Sequence, residues 1–147
     1  MHVGALMSVR LVTVTPEDSV SDAITRMNDS GVGSVVVCDG PRLVGIFTER
    51  DVLRLAATGD GFAGRQMRDV MTSRVLTIAA DDDVLAAARL MSERRIRHLP
   101  VVEGENVIGM LGIRDAMRLI VERLFSEHDA QARETARELL RPGASPR

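Results

Sequence analysis

The chain has 147 residues, 45% of them apolar and 27% charged, with a net charge of −2. That suits one folded domain, or two small units sharing a core, and supplies no basic field that would draw nucleic acid or an anionic membrane surface. Aromatics make up only 2%, with no Trp or Tyr, which argues against stacking platforms for single strands, and the lone Cys38 rules out an internal disulfide. Residues 1–8 carry no basic n-region and too little apolar length for a signal peptide, and no apolar run approaches membrane-spanning length, so the expectation is a cytoplasmic protein with no nucleic-acid or membrane partner.

In chain order, the first expected element is a short strand, Leu11 to Val14, followed by the turn and helix-start residues Thr15-Pro16-Glu17-Asp18. A helix follows, with Val20, Ala23, Ile24 and Met27 on one face at i, i+3, i+4 and i+7. The run Ser34 to Cys38 reads as a buried strand, and its cysteine as a small hydrophobe. Asp39-Gly40-Pro41 is a hairpin connection into a third strand, Leu43 to Phe47. That strand stops at Thr48, and Val52, Leu53, Leu55 and Ala56 begin a second helix.

The junction Gly45-Ile46-Phe47-Thr48-Glu49-Arg50-Asp51 returns 64 residues later as Gly109-Met110-Leu111-Gly112-Ile113-Arg114-Asp115. The same offset aligns Leu6-Met7-Ser8 with Val70-Met71-Thr72, and Asp18, Val20, Ala23 and Met27 with Asp82, Val84, Ala87 and Met91. The second copy therefore repeats the order: strand Val75 to Ile78, helix from Val84, strand His98 to Val102, turn Glu103-Gly104-Glu105, strand Val107 to Leu111, helix. Two β-α-β-β-α copies span residues 6–57 and 70–121, and units this short should pack on each other. Residues 58–69 join them; Thr58 to Gln66 is rich in Gly and Ala and suits a mobile connection. A C-terminal helical extension covers 122–141, with Glu and Arg at helical spacing, and Pro142-Gly143 ends it ahead of a disordered tail, 142–147.

A strand end meeting a helix N-terminus favours an anion, because free N–H groups and the helix dipole face it. An Arg there can hold phosphate and a carboxylate can accept sugar hydroxyls. Thr48-x-x-Asp51 also fits a capping box. Gly112 has no side chain to cap with, yet Asp115 is retained, which suggests a second role for the acid.

These residues resemble the CBS (cystathionine β-synthase) domain family: the β-α-β-β-α order, the strand Leu99-Pro100-Val101-Val102, and the motif Gly-apolar-x-Thr/Ser-x-x-Asp, complete at Gly45 to Asp51 and lacking only the hydroxyl at Gly109 to Asp115. The resemblance implies an α/β fold of two repeated motifs packed as one pseudo-symmetric module, plus the C-terminal helix. It implies a stand-alone regulatory module that binds an adenine nucleotide (AMP, ADP or ATP), S-adenosylmethionine or NAD, or nothing. It also implies a homodimer and an unidentified regulated protein, with no covalent cofactor and no catalysis. Carried over residue by residue, one cleft would contain Thr48, Arg50 and Asp51, with Ile96, Arg97 and His98 from the other copy and Arg114 nearby. The other would contain Asp115 and Arg114, with Val32, Gly33 and Ser34 opposite and Arg50 nearby. Ile46, Met110, Val12 and Leu76 would flank the adenine. Gly112 and Gly33 should weaken the second cleft. No second His or Cys stands at metal-ligand spacing from His98. No nucleophile with an adjacent base and no Walker-type loop points to an enzyme.

Overall fold

In the computed structural model, which describes residues 1–126 and 130–140, each copy builds half of one six-stranded sheet. The first contributes β1 (Thr13–Val14), α1 (Val20–Ser30), β2 (Ser34–Asp39), β3 (Arg42–Thr48) and α2 (Glu49–Thr58). A short helix, α3 (Met67–Val70), precedes the second set: β4 (Ile78–Ala79), α4 (Val84–Arg94), β5 (His98–Glu103), β6 (Asn106–Gly112) and α5 (Ile113–Ser126). The strand order is β1-β2-β3-β6-β5-β4, with β1 and β4 parallel to their neighbours and the remaining pairs antiparallel. The halves join edge to edge at the hairpin bases, where Arg42 pairs with Asn106 and Leu43 N–H donates to the Glu105 carbonyl. Both β2 and β5 carry a register shift at the same repeat position, after Val37 and after Val101.

Local chemistry explains why the elements begin and end where they do. Asp18 and Asp82 each accept a backbone N–H three residues back, from Thr15 at 2.8 Å and Ala79 at 2.9 Å, which closes the turn before each first helix. Ser19 caps α1 by accepting from Asp22 N–H, and Asp83 caps α4 by accepting from Leu85 and Ala86 N–H. Both helices end on a left-handed residue, Gly31 (φ 63°) and Arg95 (φ 54°). The expected strands Leu11 to Val14 and Val75 to Ile78 shorten to two-residue edges, and the other four strands lie where the apolar runs place them. The expected extension is present as α5 continuing to Ser126 and α6 (Ala130–Leu139), which packs on α5. Residues 127–129 and the tail expected at 142–147 lie outside the described residues.

Each half has its own core, and the two correspond residue by residue. Val14, Val20, Ala23, Met27, Val35, Val37 and Phe47 fill the first, and their repeat partners Ile78, Val84, Ala87, Met91, Leu99, Val101 and Leu111 fill the second. One pair is exchanged. Val3, just ahead of the first copy, is buried in the second core, and its counterpart Met67, just ahead of the second copy, is buried in the first. Val3 N–H donates to the Asp82 carbonyl at 2.9 Å and Met67 N–H to the Asp18 carbonyl at 2.9 Å. The connection expected to be mobile is therefore docked from Arg65 onward: Arg65 carbonyl accepts from Val20 N–H, and Met67 is fully buried. Burying such side chains contributes about 1.5–3 kcal/mol each, so the exchange ties each half to the other's lead-in.

The exchanged segments also dictate two glycines. A Cβ at Gly45 would meet Met71 Sδ at 2.5 Å, and one at Gly109 would meet Met7 Sδ at 2.5 Å. Gly45→Ala should destabilise the fold by about 1–3 kcal/mol through overpacking. In chemical denaturation, Gly45→Ala combined with Met71→Ala should cost clearly less than the two single changes added together.

Candidate functional site

The lead-ins that cross between halves run along the strands ending at the repeated motif. Ser8 and Met110 exchange backbone hydrogen bonds of 2.8 and 2.9 Å, and Thr72 and Ile46 do so at 2.9 and 3.0 Å. Ile46 is buried and Met110 half-buried, each against a chain segment from the opposite copy. Val12 and Leu76, the other expected adenine neighbours, are half-buried on the first and second cores respectively. Met7, Ser8, Met71 and Thr72 thus border the expected clefts. Sequence reasoning aligned them as repeat partners but gave them no place there.

At the start of α2, Asp51 Oδ2 accepts from Thr48 N–H at 2.8 Å and from the Thr48 hydroxyl at 3.2 Å, and Glu49 N–H donates to the Gly33 carbonyl at 3.0 Å. The capping role open to Asp51 is realised. Its Oδ1 lies 3.9 Å from Arg54, and the side chain is mostly buried. In the second copy Asp115 meets the equivalent arginine, Arg118, more closely at 3.0 Å, has no threonine hydroxyl to accept from, and is more exposed, at 39% against 15% for Asp51. Both carboxylates thus face the arginine three residues on, and only Asp51 has a threonine hydroxyl to bond as well.

Arg50 reaches across the halves: its guanidinium donates to the Arg95 carbonyl at 2.9 Å, at the left-handed end of α4. Arg50, Ile96 and Arg97 consequently line one depression of about 470 Å³, floored by Met91, Ile113 and Met117. The depression opens between α4 and α5; neither Thr48 and Asp51 nor the expected adenine-flanking residues line it. A counterpart of about 340 Å³ between α1 and α2 is lined by Ile24, Met27, Val32 and Glu49 among others. Arg114 is exposed and makes no hydrogen bond or ion pair among the described residues, while Ser34 is buried and paired with Thr48 across β2 and β3.

His98 and Gly33, expected in separate clefts, meet at the seam. A Cβ on Gly33 would press on the Glu49 carboxylate and on His98 Cε1, so the lack of a side chain there is what admits both groups. Glu49 is the residue that sequence reasoning missed; its repeat partner Ile113 is apolar, and that difference was the available signal. Burial lowers the His98 pKa below its usual 6.5; the Glu49 charge opposes this and Arg97 reinforces it. Burial also pushes the Cys38 thiol upward, which fits a core residue with no reactive role. Among the described residues no cluster of His, Cys, Asp and Glu could hold a metal, and no helix is long and apolar enough to cross a membrane.

The doubled β-α-β-β-α unit, the joined sheets and the repeated helix-start motif define a CBS pair. The family model for the CBS domain matches twice, over residues 3–58 and 67–122, and the chain belongs to that family. It is 37% identical over 113 residues to the mitochondrial CBS domain-containing protein CBSX3 of Arabidopsis thaliana, a match covering 73% of this chain and 55% of that protein, so the chain spans about half the length of this relative. Among solved structures, CBSX2 in complex with AMP superposes with a TM-score of 0.72 at 30% identity, covering 84% of this chain and 98% of that one. The CBS domain pair of MJ0100, in complex with 5′-methylthioadenosine and S-adenosyl-L-methionine, gives a TM-score of 0.77 at 25% identity, with 84% and 98% covered.

The His98 environment sets a pH dependence. A histidine held neutral by burial takes up its proton less readily when folded than when unfolded, so stability is fully present above the unfolded value near 6.5 and falls as pH drops through it. Denaturation midpoints should decline from pH 7 to pH 5, and His98→Gln should flatten that decline.

Proposed function

We propose that this chain is a regulatory CBS pair that binds an adenosine nucleotide between its two motifs and passes the signal to a partner protein as a homodimer. The observation that carries the reading is the one fully matched helix-start motif, Thr48 to Asp51, from whose first turn Arg50 crosses the seam to the Arg95 carbonyl of the other copy. An arginine in the first turn of a helix suits phosphate. Thr48 and Asp51 suit a ribose, with Asp51 Oδ1 facing the weaker of its two partners. Ile46 and Met110, lying against the crossed lead-ins, form apolar walls for a base, with Val12 and Leu76 behind them. Backbone groups then read the base edge. The AMP complex of CBSX2 supports this ligand class.

The second copy lacks the Thr hydroxyl, ties Asp115 to Arg118, and faces Gly33 and Ser34 where the first cleft has Arg97 and His98. Its cleft is the weaker one. The MJ0100 complex supports a second ligand within the same class, S-adenosylmethionine. Catalysis forms no part of the reading.

Isothermal titration with AMP on folded variants is the test. Asp51→Ala should weaken binding on the order of tenfold to a hundredfold, since bonds to a charged group contribute roughly 1.5–3 kcal/mol, whereas Asp115→Ala should matter less. Loss of the cap should also lower stability by about 0.5–2 kcal/mol, so thermal melts must accompany the titration. A ligand at about 100 times its Kd stabilises by roughly 2.7 kcal/mol. If AMP, ADP, ATP, NAD and S-adenosylmethionine all leave the melting temperature unchanged, the chain is a silent dimerisation module instead.

A further inference from the structure

Between the helix starts Thr48–Asp51 and Gly112–Asp115, only Glu49 differs in charge from its repeat partner, Ile113. The backbone frame around the two is the same. Glu49 N–H donates to the Gly33 carbonyl at 3.0 Å, and Ile113 N–H to the Arg97 carbonyl at 2.8 Å. The acid is therefore an addition to a shared design. Glu49 is exposed, yet its carboxylate is not simply directed into solvent. A Cβ on Gly33 would lie 3.1 Å from Glu49 Cδ and 3.1 Å from His98 Cε1, so carboxylate and imidazole flank one small space at the seam. Burial is the main cause of the lowered His98 pKa; the Glu49 charge opposes it and Arg97 adds to it. The seam thus sets one fixed negative charge against one positive, beside an imidazole that burial keeps neutral. Arg50, the other cation of this helix start, is bonded to the Arg95 carbonyl at the far end of α4.

We propose that Glu49 is a specificity-determining residue that limits the negative charge the first cleft accepts, so that the cleft takes an adenosine monophosphate in preference to the di- and triphosphate. The inference rests on the nucleotide reading above and names the member of that class. Glu49 is the first residue of α2, the end of the helix at which a phosphate is placed by that reading. One phosphate there can be balanced by the arginines. A longer phosphate chain adds negative charge beside a carboxylate that has no cation of its own to shield it among the described residues. Like charges held close are disfavoured, and such juxtapositions exclude wrong ligands. Backbone donors offer little relief, because Thr48 N–H is taken by Asp51 and Glu49 N–H by Gly33. An acid in the first turn also favours the helix dipole, but that contribution is indifferent to how many phosphates the ligand carries.

The test is isothermal titration of AMP and ATP, without divalent cations, into the full chain and into Glu49→Gln, which keeps the shape and removes the charge. The unmodified chain should bind AMP roughly tenfold more tightly than ATP. Glu49→Gln should narrow that ratio by about tenfold, with ATP gaining most of the change, the size expected of one close like-charge contact. Glu49→Ala removes the same charge without the amide and should narrow the ratio equally. A purely structural role would shift both affinities together and leave the ratio alone. A ratio within about twofold of the original in both variants overturns the inference and leaves nucleotide binding standing, as does an unmodified chain that prefers ATP. If neither nucleotide binds the unmodified chain, the nucleotide reading falls with it.

Discussion

Met67 is fully buried in a core built by the other copy, and Val3 mirrors it. The rest of the structure depends on this exchange. A unit of some fifty residues closes too little apolar area to be stable alone, so each half completes its core with a side chain borrowed from the other's lead-in. The borrowed segments then run on to pair with Ile46 and Met110, the residues that enter the repeated motif. Packing and candidate site are consequently one construction: the chain that seals a core also walls the cleft beside it.

The same construction fixes the motif's first residue. Gly45 and Gly109 lie against Met71 and Met7, and a methyl group at either position would overlap a thioether. The last residue of the motif has a less uniform life. Asp51 is held by Thr48 and lies near Arg54, while Asp115, with no hydroxyl to meet it, keeps the equivalent Arg118. Two copies of one pattern thus offer carboxylates of different exposure and different partners, and this inequality is the physical basis for ranking the clefts.

Asymmetry recurs wherever the repeats face one another. Gly33 opposite His98 leaves room at the seam for an imidazole and the Glu49 carboxylate. Arg95 in place of Gly31 puts a β-carbon into the left-handed region, and its carbonyl is met by Arg50 from the other half. Pseudo-symmetry supplies the frame, and departures from it make the two halves chemically unequal at the seam.

The sequence by itself determined the repeat, the element order and the helix starts, because these follow from local periodicity and capping chemistry that neighbouring residues already carry. Val20, Ala23 and Met27 read as one face and became one, and the family motif was readable at Thr48 to Asp51. Tertiary structure alone decided which core Val3 and Met67 would enter, since an apolar residue next to a glycine-rich connection carries no mark of its destination. It alone brought Glu49 to His98, and Arg50 to the end of α4, 45 residues away. Those are contacts across a pseudo-two-fold seam, set by how the two cores dock, and no local pattern encodes the docking.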